Sequence, residues 1–519
     1  MNRKKPDPRE KAQVAAVIDI GSNSIRMIIA QIFGDGRVEE LEEVHRPVRF
    51  GHDTFVVGRL QRQTMNAAIG VLRDCRRILD AYNVRNVLAV ATSAVREASN
   101  SDAFLDRVAT ATELRIDVIE PAEESRLTVS AVRRAVGRAF GLNRKRSLIV
   151  EVGGGSTLLT VNDSDRIAAS GSYPLGAIRL QEILSTFGEK PDHAVMLLRN
   201  QIASTVKVIK RSLPLRKIDA YLVVGWDARF LAGHIGRPAR KDGLSTVALR
   251  DLDRFIAECS GKTTERVSIA YGMPFGNAET LVPALLVNQA LARAAGVNKL
   301  IVTGVSMRDG LLMDLTNQVT GKGDSALAEG ILQSVRAIGR KYQVEEAHAR
   351  SVAAAALRLF DSLQSEHRLG PRQRLLLQAA ALLHEVGGFV NPRAHHKHSL
   401  YLIRNSEIFG LRQAEREMVA LIARYHRRAM PRTSHVEYMS LARGNRLVVS
   451  RLAAILRVAD ALCRGQASYT AKFKLSVSDD ELLLTVPGVT DLSLEQRSLS
   501  RKGDLFEDVF GMKVSLENE

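Results

Sequence analysis

The chain has only three cysteines in 519 residues, Cys75, Cys259 and Cys463, far apart and without CxxC spacing. They form neither a disulfide framework nor a cysteine zinc site, and they fit a reducing cytoplasm. Long apolar runs are missing as well: none reaches the roughly 18 residues that a membrane span needs. The opening MNRKKPDPREK is charged with no apolar stretch after it, so 1–13 reads as a basic tail and not a signal peptide. Aromatic residues are scarce, at 5%, and no basic run is interleaved with them. That argues against a single-strand stacking platform, and no specific nucleic-acid partner is expected. Basic charge, by contrast, is plentiful: 74 Lys and Arg face 57 Asp and Glu, a net charge of +17. A surplus of that size points to a polyanionic partner. The length allows three or four domains of ordinary size.

Two stretches of similar design organise the rest. Val17-Ile-Asp-Ile-Gly-Ser-Asn-Ser24 and Ile149-Val-Glu-Val-Gly-Gly-Gly-Ser156 each set a carboxylate at the end of an apolar, β-branched strand, then a glycine and a serine. Glycines there let backbone N–H groups turn toward a ligand, and a nest of such donors suits phosphate oxygens. The pair reads as an internal duplication, two half-domains offering Gly21, Ser22, Asn23, Ser24 and Gly153, Gly154, Gly155, Ser156 to one cleft.

Strand–loop–strand hairpins are expected over 14–33 and across the second loop to Val161. Further strand is expected over 38–57, and an amphipathic helix over 61–81 with Met65, Ile69, Leu72 and Leu79 inward. The strand from Asn86 delivers Thr92, Ser93 and then Arg96-Glu97. An arginine at the rim of an α/β sheet lies where ligands bind, and its guanidinium suits phosphate; the plainer alternative is a surface pair with Glu97. Glu123 and Glu124 follow Pro121 in the first turn of a helix to about Val136, where the macrodipole favours carboxylates. One of them facing the cleft would orient a water. A strand at Ala220 ends in Gly225-Trp226-Asp227, and Ser306-Met-Arg-Asp-Gly310 opens a short helix.

Thr316 to Asp324 reads as a linker. From there to 465 the pattern is helical, and its histidines and acids fall in the order His348, His384-Glu385, His395-His396, His398, His426, Asp460. That order on consecutive helices is the order of HD-type metallohydrolases, whose ligands hold a divalent metal and activate water. Glu385 stands where that motif has Asp. Residues 466–519 read as a small strand-containing cap.

Taken together, DIGSNS at 19–24, ATSAVREASN at 91–100, EESRL at 123–127, EVGGGST at 151–157, MRDGLL at 307–312 and LLHEVG at 382–387 resemble the exopolyphosphatase / guanosine pentaphosphate phosphohydrolase family. The resemblance implies an α/β fold: two actin-like (ribonuclease-H-like) half-domains at 14–139 and 140–318, an HD-like all-α domain at 325–465 and a small C-terminal α+β segment at 466–519. It implies a cytoplasmic homodimer that removes the terminal phosphate of inorganic polyphosphate, or the 5′ γ-phosphate of guanosine pentaphosphate, with a divalent cation, usually Mg²⁺. The catalytic glutamate falls on Glu124 and the phosphate-binding arginine on Arg96; Asp19 and Glu151 are the metal candidates. His348, His384, Glu385, His426 and Asp460 form a possible second, HD-like site.

The sequence departs from the family's pattern at Glu151, usually Asp, at Leu158, where a glutamate is common, and at Trp226-Asp227, usually Gly and a small residue. A bulky Trp226 would crowd a purine, which favours polyphosphate. The alternatives left open are the guanosine pentaphosphate hydrolase and a catalytically weak polyphosphate- or alarmone-binding protein.

Overall fold

A computed structural model describes residues 12–136, 140–164, 166–184, 190–239, 243–320, 325–464, 473–478, 480–489 and 491–518. Most of the tail at 1–13, the linker residues 321–324 and the start of the C-terminal segment at 466–472 lie outside the described residues. The chain divides into two compact units, Met1–Ser325 and Ala326–Glu519.

The first unit is built on two mixed sheets. In one, β1 (Gln13–Ile20), β2 (Ser24–Ile32), β3 (Val38–Pro47), β4 (Asn86–Ala91) and β5 (Ile116–Val118) lie in the order β3-β2-β1-β4-β5. The other holds β6 (Arg146–Val152), β7 (Thr157–Asp163), β8 (Arg166–Tyr173), β9 (Ala220–Val224), β10 (Arg237–Pro238), β11 (Ser245–Ala248) and β12 (Lys299–Val302), in the order β10-β11-β12-β9-β6-β7-β8. The first sheet's pattern recurs inside the second. β1 pairs antiparallel with β2 and parallel with β4, and β6 does the same with β7 and β9. The duplication legible in two loops is thus carried by whole sheets.

β1 is apolar along most of its length because both its faces are covered, which removes the alternation of a half-exposed strand. Ala16, Ile18 and Ile20 pack with Met65, Ile69 and Leu72 of the helix Arg62–Ala81. Ala15 and Val17 pack with Leu127, Leu311 and Leu315 on the other side. The last two belong to the helix Met307–Thr320, which is longer than expected and runs through most of the presumed linker. This helix packs on the first sheet, although its place in sequence groups it with the second half. Strand over 38–57 also needs correcting: β3 stops at Pro47, and Phe50–His52 and Asp53–Val57 are helical turns.

The second unit is mainly helical. The helices Glu346–Ser362, Pro371–Leu383, Gln413–Arg424 and Arg443–Leu462 share one core. Phe473, Leu484, Leu499, Phe506 and Leu516 join that same core, so the C-terminal segment is continuous with the bundle and does not form a cap with its own interior. Its three strands, β13 (Lys474–Val477), β14 (Glu481–Val486) and β15 (Lys513–Asn518), form a small sheet. Among the described residues no helix is long and apolar enough to cross a membrane.

Candidate active site

The two glycine loops close in the same way. The Gly21 N–H donates to the Ser24 carbonyl at 3.0 Å, and the Gly153 N–H to the Ser156 carbonyl at 2.9 Å. They also meet each other. A Cβ on Gly154 would come within 2.9 Å of the Ser22 Cβ, and one on Gly155 within 2.3 Å of the Ser93 Oγ. Side chains at these positions would hold the loops apart, so the close approach itself requires glycine. Arg179 fastens the rim: it donates to both Glu97 carboxylate oxygens at 2.6 and 2.7 Å, and its guanidinium lies 4.0 Å above the Phe55 ring. Glu97 therefore pairs across the crevice and not with its neighbour Arg96.

Both loops line one cavity of about 660 Å³, together with Asp19, Glu124 and Glu151. The adjacent carboxylates of the Glu123-Glu124 pair part company here. Glu123 turns into the protein, where its two oxygens accept from Arg126 at 2.9 Å each. Arg126 also reaches Asp314 Oδ1 at 3.1 Å, fixing the helix Met307–Thr320 against the helix Pro121–Val136. Glu124 faces the cavity. Its Oε1 accepts from Arg96 Nη1 at 2.7 Å. Burial pushes its pKa up, and Arg96 pulls against that shift.

Arg96 is thus a partner of Glu124 and of the Ile119 carbonyl, and it is absent from the cavity wall. The arginines that do line the wall are Arg26, Arg229 and Arg308, none of which the sequence singled out. Arg26 sits directly opposite Asp19 in the β1–β2 register, and Leu158 holds the same position opposite Glu151. Arg308 Nη1 is 3.9 Å from Asp19 Oδ2. The Nε atoms of Arg26 and Arg308 are buried without a hydrogen-bond partner among the described residues. Buried, unsatisfied donors of this kind are costly unless an anion meets them. A signal for Arg26 was available: a hairpin closed by Gly21 and Ser24 must pair residue 19 with residue 26.

The acidic side of the cavity fits a hard divalent cation. Asp19 Oδ1 is buried without a hydrogen-bond partner among the described residues. Burial raises the Asp19 pKa against Arg308 and Arg26. Glu151 is pushed up to about 7, first by burial, against a hydrogen bond from Thr128, and further by Glu124 and Asp19. An all-oxygen set of mutually repelling carboxylates is the donor chemistry that such cations select.

Trp226 also lines the cavity and stacks on Phe230, with ring centroids 5.2 Å apart and 21° between planes. Asp227 beside it is buried, which lifts its carboxyl pKa from 3.8 to about 7. The neutral form is favoured by the fold, so this group's contribution to stability is present below pH 3.8 and lost as pH rises through about 7. Asp227→Asn keeps the shape without the charge. We expect its thermal midpoint to gain progressively on wild type as pH rises from about 4 to about 7, followed by the fluorescence of Trp226, the chain's single tryptophan. A constant offset across that range would contradict the assignment.

In the second unit, His348 Nε2 and His384 Nε2 lie 3.8 and 3.9 Å from Asp460 Oδ1. Glu385 Oε2 is 4.0 Å from His348 Nε2, and the His426 ring centroid is 4.9 Å from that of His384. These five residues come together in that unit.

The model of the Ppx/GppA phosphatase family matches residues 17–319, and that of Ppx/GppA phosphatase domain III matches 332–505. A guanosine-5′-triphosphate,3′-diphosphate pyrophosphatase of Photobacterium profundum is 25% identical over 484 residues, covering 91% of each chain. One from Vibrio atlanticus is 23% identical, again over 91% of each. Among solved structures, an exopolyphosphatase from Cytophaga hutchinsonii aligns with a TM-score of 0.53 at 23% identity, covering 59% of this chain and 98% of that one.

Proposed function

This chain belongs to the Ppx/GppA phosphatase family, and from that premise we propose that its first unit, an actin-like pair of half-domains, hydrolyses the terminal phosphoanhydride of inorganic polyphosphate. The observation that carries the reading is the convergence of both glycine loops and Glu124 on one cavity.

The end phosphoryl group sits between Gly21–Ser24 and Gly153–Ser156, held by backbone N–H groups. Arg26 and Arg308 offset its charge, the role first expected of Arg96. Arg96 is instead a positioning residue: it occupies one oxygen of Glu124, opposes the upward pull of burial on that carboxyl and leaves the other oxygen to orient a water for in-line attack. Asp19 and Glu151 would hold a divalent cation, Mg²⁺ by the donor set, which supplies further neutralisation of phosphate charge when bound. Phosphoryl transfer needs mainly such positioning and charge compensation. The second unit is read as an HD-like bundle, and the whole as a cytoplasmic homodimer, checked by its mass in solution.

Guanosine pentaphosphate is the second reading, supported by the names of the curated relatives. Trp226 favours polyphosphate because its indole occupies cavity wall where a purine would lie. Phosphate release from the two substrates, with and without Mg²⁺, tests the function. Polyphosphate should be the faster, and Trp226→Gly should shift the preference toward the nucleotide. An unchanged preference in that variant would remove Trp226 as the determinant, and release from neither substrate would sink the proposal.

A further inference from the structure

The wall of the first unit's cavity carries a charged row that reaches past the place of one phosphoryl group. Residues directly opposite one another in neighbouring strands share a face of the sheet. Asp19 on β1 lies opposite Arg26 on β2, and Arg26 lies opposite His45 on β3. All three line the cavity. β3 is the outermost strand of its sheet, so the row runs from the Asp19 carboxylate to the sheet edge. Two strand spacings separate its ends, roughly 10 Å. With β2 between them, His45 does not touch Asp19.

His45 differs from the other basic groups of that wall. Arg26, Arg229 and Arg308 keep their charge at any working pH, and they crowd one another. Burial, Arg308 and Arg229 all disfavour the charge on Arg26, with Asp19 opposing them. His45 is exposed at the wall and can exchange protons with solvent. Partial desolvation holds its pKa below the usual imidazole range. Arg26 of β2 and Arg308 of the helix Met307–Thr320 add to that fall; on its own strand Glu43 opposes it and Arg46 adds a little. A lysine here would add a fixed cation to a cleft already crowded with them. An imidazole stays neutral until an anion offsets the arginines.

We propose that His45 selects a polyphosphate chain over a single phosphoryl group: it lies beneath the phosphates that follow the terminal one, and its imidazole takes a proton from solvent as they settle. The inference rests on the reading of the cleft as a polyphosphate site. Chain binding and proton binding then favour each other reciprocally. The sign follows from linkage. Bound chain holds more protons than free chain, so polyphosphate affinity falls as pH rises from the pKa of the free imidazole to the higher pKa of the occupied one. Below and above that window His45 adds no pH dependence.

Long-chain polyphosphate is titrated calorimetrically into the full chain carrying Glu124→Gln, so that turnover does not mask binding. Two buffers of different ionisation enthalpy, both at about pH 7, count the protons taken up. Glu151 and Asp227 titrate in the same range, as does the terminal phosphoryl group, so the reading is the difference that a second substitution at His45 makes. His45→Gln should take up about half to one proton fewer. At about pH 6 it should bind polyphosphate about 2- to 5-fold more weakly, the worth of an exposed ion pair. At about pH 8, His45→Lys should bind tighter than His45 by a similar factor, with no more uptake than His45→Gln. Orthophosphate, too short to reach β3, should bind with and without His45 alike. Equal proton uptake with and without His45, or a lysine that brings no gain, overturns the inference and leaves polyphosphate in the cleft. Orthophosphate affinity that falls as much as polyphosphate affinity overturns the selection of a chain. Polyphosphate that binds none of these proteins overturns the reading of the cleft as well.

Discussion

Glu124→Gln is expected to lower phosphate release from polyphosphate by about 10² to 10⁴-fold, the usual contribution of a positioned general base. The amide keeps an oxygen for Arg96, which donates to Glu124 Oε1 at 2.7 Å in the wild type. It loses the negative charge that orients the water. Substrate binding, which rests on the loops, Arg26 and Arg308, should change little, so the loss should appear in kcat more than in KM. Glu124→Ala should abolish release as well while the fold survives. Near-normal turnover in either variant would refute the assignment of Glu124. Glu123→Gln provides the contrast: its carboxylate is committed to Arg126, so its effect should fall on stability.

Arg126→Met carries the second large effect. The Arg126 side chain is 2% exposed and bonds both oxygens of Glu123. Removing the cation strips a buried carboxylate of its main partner, which typically costs about 3–5 kcal/mol. The urea midpoint of the first unit, followed through Trp226 fluorescence, should fall accordingly. Adding Glu123→Met to that variant should recover part of the loss, because the stranded charge is then gone. A drop below about 1 kcal/mol would mean that water reaches the pair and screens it, as at a surface.

These two residues show where sequence reading reaches and where it stops. The loops, the carboxylates at the strand ends and the acidic helix start are local patterns, each dictated by a few adjacent residues. The first-turn position alone gives Glu123 and Glu124 equal access to the helix dipole. What separates them is Arg126 and Asp314, the latter from a helix far along the chain. Arg308 is a similar case: it reaches Asp19 only because the helix Met307–Thr320 crosses back to the first sheet, a tertiary choice that no local periodicity contains. The shared core of the C-terminal segment and the bundle was hidden for the same reason. Its strands alternate as any half-buried strand does, and alternation does not say which neighbour covers the apolar face. Residues 48–57 suit strand by composition, yet Phe50–His52 and Asp53–Val57 are helical turns. The chain must instead turn there, so that the Gly51 N–H can donate to the Ser22 carbonyl at 2.7 Å.

The most direct measurement is a crystal structure of Glu124→Gln with a short polyphosphate bound. The account predicts the terminal phosphorus between the Gly21–Ser24 and Gly153–Ser156 turns, within reach of Arg26 and Arg308, with a water beside residue 124 in line with the bond to be cut. A chain end bound anywhere else, with that crevice holding only solvent, would contradict it.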